Sequence, residues 1–147
     1  MHYFNLQKFQ FIDDLNINTI TFTADTGTKG SAFLNFSNID YTFDTGTTDA
    51  DPGTKEIRFN NANAANVTEI YIDDVSIDPD DAGQTIDKQY EYKRVKNAAS
   101  SVKGYIRIAD NGSTTNYTEY KITSATEATG YWKFVVSNPT AGSGGHV

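Results

Sequence analysis

Asp25-Thr-Gly-Thr and Asp44-Thr-Gly-Thr are the residues whose type and repetition come nearest to a catalytic signature in this chain. Two such loops can bring two carboxylates together to share one proton, the chemistry of acid proteolysis. The copies start 19 positions apart, too close to head the two lobes such a site needs. Asp, Thr and Gly also build ordinary turns, and that is the better reading. Asp73, Asp74, Asp78, Asp80 and Asp81 could gather oxygen ligands for a hard cation such as Ca²⁺. Aligned from Asp78, however, the EF-hand template meets Ala82 at its fifth position and Gln89 at its twelfth, where a bidentate Glu is required. A solvated acidic loop over 73–83 is expected instead, with no metal. His2 and His146 stand at opposite ends of the sequence, which leaves no basis for a His triad, a zinc site or a His general base.

The remaining candidates are surface contacts. Arg58 and Arg107 occupy equivalent positions in two related segments, and pairing with Glu69 or Glu119 on the neighbouring strand is expected. Trp132 is read as core, and Tyr131 on the opposite strand face as a ring that could stack on a sugar. No Gly-rich loop of the kind that cradles phosphate is present.

These residues must be positioned by a chain of 147 residues with no cysteine, 12 basic and 19 acidic side chains and a net charge of −7. That balance disfavours nucleic-acid or anionic-membrane partners, both of which need clustered Lys and Arg. No apolar run approaches the ~18 residues of a spanning helix, and Met1–Lys8 lacks the pattern of a signal peptide. The sequons at Asn35, Asn66, Asn111 and Asn116 reflect a turn vocabulary rich in Asn and Thr. Nine Tyr and nine Phe compensate for a hydrophobic content of only 37%.

Along the chain, Tyr3, Phe4, Leu6, Phe9, Phe11, Ile12 and Leu15 form an aromatic segment whose periodicity fits a helix or a strand. Ile17–Ala24 alternates, with Ile20 and Phe22 inward; Phe33–Phe36 and Ile39–Phe43 are further short strands. Then one hairpin appears twice. Lys55-Glu-Ile-Arg-Phe-Asn-Asn61 precedes Val67-Thr-Glu-Ile-Tyr-Ile72, and Lys103-Gly-Tyr-Ile-Arg-Ile-Ala-Asp-Asn111 precedes Tyr117-Thr-Glu-Tyr-Lys-Ile122. Alternation between Asn-rich turns predicts half-buried antiparallel strands. The expected core is Ile57, Phe59, Ile70, Ile72, Ile106, Ile108, Tyr120, Ile122, Trp132, Phe134 and Val136. Thr85–Ala99 predicts one helix presenting Ile86, Tyr90, Val95 and Ala98, and the Gly-rich stretch from Ala141 reads as linker.

Asp51-Pro-Gly-Thr-Lys-Glu-Ile-Arg-Phe-Asn-Asn-Ala62, Val67–Asp73, Ser101-Val-Lys-Gly-Tyr-Ile-Arg-Ile108 and Thr129-Gly-Tyr131 together resemble a module of tailed-bacteriophage virion proteins, known from tail fibres and other surface proteins of marine phages. The resemblance spans 49–143. It implies an all-β fold, a small antiparallel β-sandwich with one short helix and an N-terminal arm. Residues 1–48 would form the virion-facing base, 49–143 the module and 144–147 a flexible tail. The resemblance further implies a non-enzymatic structural protein on the virion's outer surface, made in the host cytoplasm, without cofactor. Short length and the lack of heptads or Gly-X-Y repeats favour a capsid decoration or knob that docks on phage capsid or tail proteins. Tyr3, Phe4, Phe9, Phe11, Ile12 and Leu15 are the candidate docking residues. The alternative is a tail-fibre or adhesion module that binds a host surface glycan through Tyr71 and Tyr131.

Overall fold

In the computed structural model, residues 17–23, 39–79, 85–110 and 113–147 are described. Nine strands and one helix follow in order: β1 Ile17–Thr23, β2 Ile39–Asp44, β3 Glu56–Phe59, β4 Glu69–Asp73, β5 Val75–Pro79, β6 Thr85–Asp87, α1 Gln89–Asn97, β7 Gly104–Asp110, β8 Tyr117–Glu127 and β9 Tyr131–Ala141. The protein is all-β, with one short helix among the described residues. Seven strands curl into a closed sheet in the order β1-β2-β3-β4-β9-β8-β7, and β5 and β6 form a small second sheet. Closure leaves no unpaired edge in the main sheet.

Alternation produces the core. Each of the eleven expected core residues is buried, none more than 3% exposed. Ile39, Tyr41, Tyr92 and Val95 join them, so β2 and α1 share one core with the two hairpins. The boundary expected at residue 48 thus falls inside a continuous sheet, because Thr42, Phe43 and Asp44 pair with Glu56, Ile57 and Arg58. That β2–β3 pair is parallel, whereas every other pair of described strands is antiparallel.

Two expected irregular segments are ordered. Within the acidic stretch, Val75–Pro79 is strand β5, paired with β6. The Gly-rich end, residues 144–147 included, folds back on the barrel. Gly142 and Gly144 N–H donate to the Tyr117 and Thr115 carbonyls, both at 2.9 Å. Val147 N–H donates to Thr118 Oγ1 at 3.1 Å, and its side chain packs on the core. Gly142 permits this approach, since a Cβ there would run into the Thr115 carbonyl oxygen and the Tyr117 ring. The helix also turns differently from expectation. Tyr92 and Val95, three apart, face inward, while Tyr90 is 70% exposed and Ile86 lies in β6.

Candidate functional site: the polar outer face and the acidic end

Asp44 opens the second Asp-Thr-Gly-Thr motif, and its carboxylate is committed to structure. Oδ1 accepts from Gly46 N–H at 2.9 Å, closing an Asx turn. Oδ2 accepts from Arg58 Nε at 2.6 Å and forms an ion pair with the same guanidinium. The Gly46 hydrogen bond and the Arg58 charge hold the Asp44 carboxyl below its ordinary range. Asp25, the other half of the motif, lies outside the described residues.

Arg58 does more than pair. Its Nη1 donates to the Thr48 and Ala50 carbonyls at 3.0 and 3.3 Å, and Nη2 reaches the Pro52 carbonyl at 3.5 Å. Parallel neighbours cannot be joined by a tight hairpin and require a crossover, and Arg58 is the staple of the crossover 45–55. At its far end Pro52 and Gly53 reverse the chain, with Gly53 at φ +113° and its N–H on Asp51 Oδ1. The expected Arg58–Glu69 pair is therefore absent. Arg58 lies opposite Tyr71, whose hydroxyl donates to Glu69 at 2.7 Å. In the second hairpin Arg107 does lie opposite Glu119 and pairs with it at 3.1 Å, while stacking 4.0 Å from the centre of the Tyr117 ring. The two hairpins thus differ in register by two residues, an even shift that keeps every side chain on its own face.

Tyr71 and Tyr131, the glycan-stacking candidates, are brought together edge to face, ring centres 6.3 Å apart. Both rings are buried, at 2% and 9% exposure. Tyr131 OH donates to Asp49 at 3.1 Å, and Lys133 Nζ donates to the same carboxylate at 2.7 Å. Asp49, not singled out in the sequence, joins the start of the crossover to β9, and the Lys133 hydrogen bond holds its carboxyl below the ordinary range. A 2% exposed ring offers no open face for sugar stacking, so this pair reads as a lock between strands. The docking candidates Tyr3, Phe4, Phe9, Phe11, Ile12 and Leu15 lie outside the described residues.

No family model matches the chain, and no curated protein or solved structure matches it either.

Past the end of β4, the carboxylates of Asp73, Asp87, Glu127 and Asp51 lie close enough to Asp74 to act on its charge. Asp73 Oδ2 accepts from Lys55 and Val75 N–H at 2.8 and 3.1 Å. Among the described residues no group of three or more His, Cys, Asp or Glu is arranged to hold a metal ion; Asp80 and Asp81 lie outside them. Asp74 links β4 to the small sheet: its N–H donates to the Gly130 carbonyl, and its own carbonyl accepts from Lys88 N–H at 2.7 Å. Its Oδ1 is buried with no hydrogen-bond partner among the described residues. Burial first, then the charges of Asp73, Asp87, Glu127 and Asp51, raise its pKa from 3.8 to about 6.

A raised carboxyl pKa means that the folded state favours the protonated form. The stability this group contributes is full below the unfolded value near 3.8 and is lost as pH rises through about 6. Asp74→Asn is therefore expected to stabilise the protein at pH 7.5 by about 1–2 kcal/mol, a figure reduced for partial exposure, and to make no gain at pH 4. Urea melts of both proteins at the two pH values check this. A gain independent of pH would locate the effect elsewhere.

Proposed function

We propose that this protein is a non-enzymatic structural component of a tailed-bacteriophage virion, a decoration or knob on the capsid surface. The observation that carries the reading is the resemblance of 49–143 to the phage virion module. The residues that carry it are structural ones: Ile57, Phe59, Ile70, Ile72, Ile106 and Ile108 fill the core, and Arg58 staples the crossover. Decorating a shell requires a rigid body and a complementary surface, and a closed sheet is suited to that. The apolar residues Tyr3, Phe4, Phe9, Phe11, Ile12 and Leu15 are the proposed contact with the shell.

Copy number tests the location. Quantitative mass spectrometry of purified virions should find hundreds of copies; a few dozen would move the protein to the tail, and none would end the virion reading. Deleting residues 1–16 should give a protein that melts cooperatively but no longer binds capsids stripped of the native copy. Undiminished binding would remove the docking role from this segment.

A further inference from the structure

Residues 88–103 hold five of the chain's twelve cations and one of its nineteen carboxylates, a local excess of four positive charges in a protein of net charge −7. Two of the five serve the fold. Lys103 Nζ donates to the Ala98 carbonyl just past the helix, and Lys96 lies over the Trp132 ring. Lys88 is buried, and Lys93 and Arg94 face outward. With Tyr92 and Val95 buried, α1 turns Tyr90, Lys93, Arg94 and Asn97 to solvent, one stripe at i, i+3, i+4 and i+7. Tyr90 is 70% exposed, and the Arg94 guanidinium lies 5.9 Å from its ring centre. An exposed Tyr–Arg stack flanked by Lys is the composition of a binding hot spot.

Carboxylates border this stripe on the same molecule. Asp87 accepts from the first helical N–H, that of Gln89, at 2.8 Å. Glu127 stands 4.0 Å from Lys93, both about half exposed, a loose pair whose members are free to exchange partners. Asp74, which carries an unpartnered buried oxygen, lies one hydrogen bond behind Lys88. Positive and negative surfaces side by side are self-complementary under a two-fold axis, because each copy then sets its cations against the other's carboxylates.

We propose that the outer stripe of α1 is a self-association surface, docking Tyr90, Lys93 and Arg94 against the Asp87–Glu127 margin of a second copy of this chain. The proposal does not rest on the virion reading. A nine-residue helix presents less surface than the roughly 800 Å² per partner of a stable complex, so the dimer is weak and salt-sensitive.

Sedimentation equilibrium on the full chain tests it. In about 20 mM NaCl the mass should rise from 16.2 kDa towards twice that value as protein approaches about 0.5 mM, and fall back in about 0.5 M NaCl. Lys93→Glu with Arg94→Glu should remain monomeric, as should Asp87→Lys with Glu127→Lys, and an equimolar mixture of the two should recover association. Tyr90→Ala, a substitution at an exposed site, should weaken association at least tenfold without changing the melting temperature. A wild type that stays monomeric at low salt, or a mixture that fails to associate when both variants melt like wild type, overturns the proposal. Should a charge-reversed variant not fold, unaltered self-association of Tyr90→Ala overturns it equally.

Discussion

Phe134→Ala is expected to lower the unfolding free energy by about 3–5 kcal/mol, the cost of lost burial plus a cavity that close-packed neighbours cannot fill. Phe134 is wholly buried, and its ring meets the Tyr92 ring edge-on at 5.5 Å. It sits on β9 between β4, where it faces Ile70 across the pair, and β8. The cavity would therefore open where the helix and both hairpins converge. Other rings of the same core have little freedom to collapse inward, because the Tyr120 hydroxyl is tied to the Ala64 carbonyl at 2.8 Å and the Tyr41 hydroxyl to the Asp73 carbonyl at 3.0 Å. Ile106→Ala, from the same core, should cost about 2–5 kcal/mol. Glu119→Ala removes one partly exposed pair and should cost under about 1 kcal/mol. Midpoints from urea titrations at constant m-value measure all three, and a Glu119→Ala effect as large as that of Phe134→Ala would mean that inner and outer faces are exchanged.

That comparison depends on alternation, the strongest signal in this sequence. Residues two apart on a strand share a face, so Ile57 with Phe59, or Trp132 with Phe134 and Val136, could be placed inside without knowing which strand neighbours which. The same logic misreads β5. There Ser76 is fully buried while Val75 and Ile77 are only half-buried, so the polar residue occupies the inner position and the acidic surroundings suggest a loop. Helical spacing failed in a related way: Tyr90 and Val95 are five apart and cannot share a face, whereas Tyr92 and Val95 can. Glycines after Ala141 spell a linker by composition, yet at Gly142 the missing Cβ is what lets two backbones meet. Composition reports what a segment tolerates, and tertiary contact decides how it is used.

The polar face was legible only as an inventory. Arg58, Asp44, Asp49, Tyr131 and Lys133 are visible as residue types, but their partners depend on strand order. Asp49 and Lys133 are 84 positions apart, and no local pattern links them. Nor does the doubling of the hairpin help, since segments of similar pattern adopt registers two residues apart. The first hairpin turns through a longer connection: Asn60 caps Thr68 and Glu69 N–H at 3.0 and 3.1 Å, and a 3₁₀ turn spans Ala64–Asn66. Turn chemistry sets register, and register sets which carboxylate each arginine finds.

The two arginines should therefore respond unequally to the same substitution. Arg58→Ala is expected to cost about 2–3 kcal/mol, because the Asp44 carboxylate loses its counter-charge and three crossover carbonyls lose their donor. Arg107→Ala should cost less than about 1 kcal/mol, since Glu119, about one-third exposed, can turn to water. Arg58→Lys should recover under half of the loss, because one ammonium cannot reproduce a planar fork that reaches a carboxylate and three carbonyls at once. Location offers a second readout. Without its staple the 45–55 crossover should become the first site of limited proteolysis, while the Arg107 variant keeps the wild-type digestion pattern. Equal losses from the two alanine variants, or an Arg58 variant cut no faster in this segment, would show that the parallel β2–β3 pair is held by its own ladder and packing rather than by the guanidinium.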